Sequence, residues 1–200
     1  MEQFLKNRHH NIYLEKEYTY KNFICKDCTK KKKEYEYTDD EEYPKNIPNI
    51  GYIEISLGKF PIYITTPVMV CPFGFNKVTN AMSLQFTNIK TDSEMKSFHD
   101  FIQSLEMDQM KYLGLDENDI DLYISQIRYD KNMKYDPNLL LKVPFTNNRY
   151  NVDIRNKDSP CSITNLYKFS KVKCDIYIDK IWKYNGKFIC KWKVNKLFIL

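Results

Sequence analysis

Residues 171–200 read KVKCDIYIDKIWKYNGKFICKWKVNKLFIL, two long runs that alternate apolar and polar residues around one Asn-Gly pair. Period-two alternation marks strands with one buried face, and Asn-Gly between two such runs marks a hairpin. The first run sets Val172, Cys174, Ile176 and Ile178 against Lys171, Lys173, Asp175 and Tyr177; the second sets Phe188, Cys190, Trp192 and Val194 against Lys187, Ile189, Lys191 and Lys193. Turn length decides whether the two apolar rows share a face. A two-residue Asn185-Gly186 turn pairs Trp182 with Ile189 and throws the rows onto opposite faces, a costly slip. A three-residue Tyr184-Asn185-Gly186 loop, with Gly186 left-handed, pairs Trp182 with Phe188, Ile178 with Trp192 and Ile176 with Val194. The expectation is therefore the longer loop, both tryptophans in the core and Lys180 at a bulge or rim. Lys171, Lys173, Tyr177, Lys183, Lys187, Lys191 and Lys193 then share the opposite face.

Charge singles out the same segment. The chain of 200 residues carries a formal +5, yet residues 171–200 alone hold eight lysines against Asp175 and Asp179, a net +6. Between 91 and 122 the balance reverses, with nine acids against Lys96 and Lys111. A basic face draws polyanions, and an acidic one is free for basic proteins. Lysines release counterions from a phosphate backbone, and rings between them stack on unpaired bases. The same lysines also suit an edge strand guarded against aggregation.

Upstream, CKDCTKKKKEYEYTDDEEYPKNIPN (25–49) has charge blocks of both signs and no hydrophobic period, which reads as a loop or linker. Strands are expected near 50–57 and 60–66, joined by a tight turn at 57–59, with Pro67 and Pro72 ending regular pairing. AMSLQFTN alternates Met82, Leu84 and Phe86 with polar residues, a half-buried strand. Thr91 and Glu94 have capping-box spacing, and Met95, Phe98, Phe101, Ile102 and Leu105 form a helical stripe, so 92–112 is an amphipathic helix. DENDIDLYISQIRY reads as a second, shorter helix. Strands resume at 139–145 and 149–154. Mostly antiparallel strands with a helical insert and a long C-terminal hairpin indicate a mostly β (α+β) fold with an OB-like barrel. The barrel domain spans 50–200, and 1–49 is an N-terminal extension.

No apolar run approaches the roughly 20 residues of a membrane helix, and the N-terminus lacks the apolar region of a secretory signal. Six cysteines at 25, 28, 71, 161, 174 and 190 read as reduced thiols of an intracellular protein. The last four resemble small buried hydrophobes. Cys25 and Cys28 have the spacing of two zinc ligands, with His9 and His10 as the only upstream partners; free surface thiols are the competing reading. No phosphate loop, GxSxG or HExxH occurs, and the acids of 116–121 lack the glycine and distal Glu of a calcium loop. His99 lies one position off the helical stripe and is expected at the surface. Neither an enzyme nor a cofactor is indicated.

TTPVMVCPFGF (65–75) and KIWKYNGKFICKWKV (180–194), in this order, resemble the OB-fold single-stranded DNA-binding proteins of nucleocytoplasmic large DNA viruses. The resemblance rests on Pro67, Pro72, Phe73 and Gly74 in the first motif and Trp182, Gly186, Phe188, Trp192 and Lys193 in the second. It departs at Ile189, where that family often has glycine, and in lacking an acidic C-terminal tail for partner recruitment. It implies sequence-independent binding of single-stranded DNA in viral replication, recombination or repair, with RNA as the alternative partner that the sequence leaves open. The protein would then work at the host-cell replication site or in the virion, with replication proteins docking on the acidic helical region, room for a homo-oligomer, and no membrane. Lys59, Phe60, Tyr63, Arg149 and Tyr150 flank strand turns and are further groove candidates. The competing expectation is a structural or virion interaction protein whose barrel binds no DNA.

Overall fold

The computed structural model describes residues 18–20, 51–57, 60–157 and 159–200. The extension's Cys25, Cys28, His9 and His10, its charged loop, and Lys59 lie outside these residues. In chain order the strands are β1 (Tyr18–Tyr20), β2 (Gly51–Leu57), β3 (Ile62–Thr65), β4 (Met69–Cys71), β5 (Phe75–Asn76), β6 (Ala81–Gln85), β7 (Ile127–Arg128) and β8 (Asn138–Lys142). They continue as β9 (Phe145–Thr146), β10 (Arg149–Tyr150), β11 (Asp153–Asn156), β12 (Ser159–Pro160), β13 (Ser170–Ile178), β14 (Lys180–Tyr184), β15 (Lys187–Cys190) and β16 (Trp192–Ile199). Helix α1 (Ser93–Tyr112) lies between β6 and β7.

Five of these strands close a barrel in the order β4-β6-β8-β16-β13 and back to β4. Its pairs are antiparallel except β8 with β16, which run parallel. Numbered along the chain, the barrel order is 1-2-3-5-4, so the third and fifth strands seal it. This is an OB-like α+β fold. Alternate residues fill the interior: Met69, Cys71, Met82, Leu84, Leu139, Leu141, Val172, Cys174, Ile176, Trp192, Val194 and Leu197 are all buried in one core cluster. Met95, Phe98, Phe101, Ile102 and Leu105 of α1 join it, with Phe98 against Phe86 at 5.9 Å between ring centres.

The helix matches the stripe in the sequence, but its cap does not. Asp92, not Thr91, accepts from the Met95 N–H at 3.0 Å, one residue nearer the stripe. His99 is buried rather than exposed, its ring edge-on to Phe86 and its Nε2 3.0 Å from the Tyr129 hydroxyl. The expected second helix is only a 3-10 turn, Glu117–Leu122, capped by Asp116. Its acids leave it no apolar stripe, and the chain then extends. Along this extension Tyr123 Oη donates to Gln109 at 2.6 Å, and Ser125 Oγ and the Gln126 N–H donate to Glu106 at 2.6 and 2.7 Å. The Ile124 N–H donates to the Phe188 carbonyl at 2.8 Å. Through these bonds the helix braces the C-terminal hairpin.

β2 and β3, expected to be joined by a tight turn at 57–59, do not pair with each other, and residues 58 and 59 of that turn lie outside the described residues. β2 pairs with β14 and β3 with β13, because the first C-terminal run is long enough to take one partner on each half. The strand expected at 139–145 stops at Lys142, ahead of Pro144. The next, expected at 149–154, divides into β10 and β11.

The terminal hairpin corrects the register. Tyr184 pairs with Lys187, Lys183 with Phe188, Trp182 with Ile189 and Ile181 with Cys190, around a two-residue turn. Asn185 and Gly186 have φ of 48° and 75°, the left-handed pair that a type I′ turn requires. Below it, Tyr177 pairs with Lys193 and Ile176 with Val194. Three residues, 178–180, therefore face two, 191 and 192. This bulge restores the parity that the short turn breaks. Ile178 and Ile181 are both buried on one side of it, so the core row continues without a three-residue loop. Lys180 sits at this irregularity, as its position in the pattern implied.

A candidate nucleic-acid interface

Relative to a three-residue loop, the short turn and its bulge exchange the faces of three residues. Ile181 joins the core row, Trp182 moves outward among the lysines, and Lys183 moves to the other side, its Nζ 5.3 Å from the Phe188 ring centre. The expectation that both tryptophans are core residues thus holds for Trp192 and fails for Trp182, which is half-buried. The expectation that Lys183 shares the basic face also fails, for the same change of parity.

The outward row follows from strand pairing. On the hairpin it comprises Tyr184 beside Lys187 and Trp182 beside Ile189, followed by Lys191. On the barrel wall it crosses four strands at one level: Tyr63 is paired with Tyr177, Tyr177 with Lys193 and Lys193 with Lys142. The Tyr63 and Tyr177 rings are 5.3 Å apart, and Lys193 Nζ is 5.5 Å from the Tyr177 ring centre. From β2, Tyr52 packs on Trp182 at 5.1 Å, and Lys180 Nζ lies 4.3 Å from the Tyr52 ring centre. Ile124, Trp182, Tyr184, Lys187, Ile189 and Lys191 line an open groove of about 620 Å³.

The cations of this row differ in availability. Lys187 and Lys191 are exposed, whereas Lys193 is half-buried and holds Asp179 at 2.6 Å. Partial burial, and then the nearby Lys191 charge, push the Lys142 ammonium below its usual range. Like charges placed together in this way favour an anion between them. Lys142 also donates to the Thr79 carbonyl at 2.6 Å, which fixes its position. Burial, then Asp179 and Tyr63, raise the Tyr177 phenol, so it stays neutral and suited to stacking.

Of the other sequence candidates, Lys171 and Lys173 are exposed further down β13. Buried Asp175, accepting from Thr65 Oγ1 at 2.9 Å, separates them from Tyr177. Phe60 is exposed just before β3. Arg149 and Tyr150 stand on the separate β9–β10 hairpin. There Tyr150 is a packing residue, held between Phe75 and Phe145 and bonded to Asn80.

Sequence reasoning missed Trp182, Ile189, Ile124, Tyr52 and Lys142. Lys142 had a signal, since Leu139, Leu141 and Val143 alternate inward around Leu140 and Lys142. Its placement beside Lys193 depends on the parallel β8–β16 pair, which links residues 51 positions apart in the chain. Ile124 and Tyr52 reach the hairpin only through tertiary pairing.

The geometry defines a class, a closed OB-like barrel whose loop between the fourth and fifth strands is a basic, aromatic hairpin. OB barrels bind oligonucleotides on the face of strands two and three and with the loops joining strands one–two and four–five. Here the face of β6 and β8 presents Ala81, Ser83, Gln85, Asn138, Leu140 and Lys142 and no ring. The rings and most of the cations lie on the hairpin and on the wall below it.

No family model and no curated protein matches the chain. Among solved structures it is similar to the single-stranded DNA-binding protein from bacteriophage Enc34 in complex with ssDNA. Identity is 12% and the TM-score 0.47, over 78% of this chain and 93% of that one. A C-terminal truncation of that protein aligns at 11% identity and TM-score 0.45, over 78% and 91%. At this level of likeness nothing about ligand passes from that protein to this chain.

Proposed function

We propose that this chain binds single-stranded DNA without regard to base sequence, by lysine–phosphate contacts and by stacking of bases on Trp182 and the Tyr63–Tyr177 pair. The observation that carries the reading is the parity change at the bulge. It places an indole between Lys180, Lys187 and Lys191 on an open groove. An edge strand protected only against aggregation needs the lysines and not the indole. Rings interleaved with cations along an open track suit a flexible strand whose bases are unpaired. In this reading the protein is not an enzyme and acts in DNA replication, recombination or repair. The motifs at 65–75 and 180–194 support a viral setting of the kind found in large DNA viruses. The acidic helix α1 would remain free for replication proteins.

The test is fluorescence anisotropy with labelled oligo-dT, oligo-U and a duplex control, each at low and high salt. Tight binding of oligo-dT at low salt, weakening steeply with salt, is the expected result. No binding of oligo-dT at low salt would overturn the reading and leave a structural or interaction role for the barrel.

A further inference from the structure

The outer side of β13 continues below Tyr177, past the buried Asp175 that Thr65 Oγ1 holds at 2.9 Å, through Lys173 and Lys171, to a second group of rings. Phe73, Tyr167 and Phe169 are 67%, 71% and 72% exposed. They stand on two loops that are locked together. The Phe169 N–H donates to the Cys71 carbonyl at 2.7 Å, and Ser170 pairs with Cys71. Gly74 has φ of +69°, and a Cβ there would lie 3.0 Å from the Leu166 carbonyl oxygen. Only glycine allows the two backbones to meet this closely. Phe169 itself has φ of 63°, a left-handed conformation that a bulky residue keeps only where its surroundings impose it. The fold thus holds three large rings in water at some cost and buries none of them.

The surrounding charge points to what they meet. Lys77, Lys168, Lys171 and Lys173 are exposed, and neither 72–77 nor 166–173 contains an acid. Rings among exposed cations match bases and phosphates better than the apolar face of another protein.

We propose that Phe73, Tyr167 and Phe169, with Lys168 and Lys171, form a second stacking site for the continuation of the same single strand of nucleic acid. The strand then follows β13, whose nine residues span roughly 30 Å from this site to the base of the hairpin. This inference rests on the hairpin row being a single-strand site. It adds that row's direction and length to the reading.

The test is a length series of labelled oligo-dT, from about 4 to 24 nucleotides, against the native chain, the triple variant F73A/Y167A/F169A and W182A. The native chain is expected to gain affinity with length beyond the shortest oligomers. The triple variant should bind the shortest ones normally, which also shows it folded, and be at least about tenfold weaker than native on the long ones. W182A should be weaker at every length. A triple variant equal to native on all lengths would overturn the second site while leaving the hairpin reading intact. Equal loss at all lengths would also overturn it, because the rings would then belong to one undivided site. Failure of the native chain to bind any length would overturn both readings.

Discussion

Trp182 and Trp192 lie ten positions apart on the same hairpin, and one substitution at each separates packing from binding. Trp192 is 2% exposed inside the barrel, so Trp192→Ala should cost about 3–5 kcal/mol in urea unfolding. Trp182 faces the groove, and Trp182→Ala should lose about 1–3 kcal/mol of oligo-dT affinity for each base stacked on it. Its urea midpoint should move much less than that of the Trp192 variant. A large stability loss without an affinity loss at Trp182 would return that indole to a packing role. The thiols nearby are structural. Burial pushes the Cys71 thiol up to about 11 and also raises Cys174 and Cys190, leaving them protonated hydrophobes near neutral pH.

At the scale of elements, the hairpin is held by α1 through the extended segment 123–126, and Glu106 is the carboxylic acid of that brace. Burial raises the Glu106 carboxyl above its ordinary 4.5, partly offset by the bonds from Ser125 and Gln126 and by the Arg128 charge. The native state therefore keeps a proton that the unfolded chain has already released. The stability this contributes is fully present below about pH 4.5 and is lost as pH rises through the raised native value. The difference in unfolding free energy between native and Glu106→Gln should fall as pH rises above about 4.5 and level off once pH exceeds the raised native value. Urea unfolding of both proteins across that range checks it, and a flat difference would show that the carboxyl titrates normally.

Across the whole molecule, among the described residues, the exposed lysines of the hairpin and barrel wall form one basic region. Asp175 and Asp179 lie buried or half-buried within it, while the acids of 92–121 cluster on α1 and the turn after it. Binding to single strands should thus be strongly salt-dependent. Each phosphate neutralised adds about 0.7 to the slope of log affinity against log salt. Replacing exposed Lys187 and Lys191 by Ala should lower that slope by roughly 1.4 without loss of folding. Lys193→Ala should act differently, because it leaves Asp179 unpaired next to the track. Anisotropy titrations at four or five salt concentrations give the slopes. Unchanged slopes in the double variant would remove the hairpin from the interface.

The barrel class, the helix at 92–112, the strand at 81–85 and the importance of the last thirty residues were all legible in the sequence, because period and turn chemistry are local properties. Alternation places Trp192, Cys174 and Ile176 in the core wherever their partners lie. The face on which Trp182 stands is not a local property. Asn-Gly selected the two-residue turn, and the choice between a shifted register and a compensating bulge at 178–180 depended on contacts beyond the turn, one from β2 outside the hairpin and one across the hairpin itself. β2 takes the upper half of the run, with the Ile55 N–H on the Asp179 carbonyl at 2.9 Å, while Lys193 holds the Asp179 carboxylate. Those partners lie 124 and 14 positions away along the chain, and their bonds set the parity that puts an indole among the lysines. The sequence by itself determined which residues alternate and where the charge lies. The tertiary structure decided which side each residue faces past the bulge, because one added residue in a strand reverses every side chain beyond it.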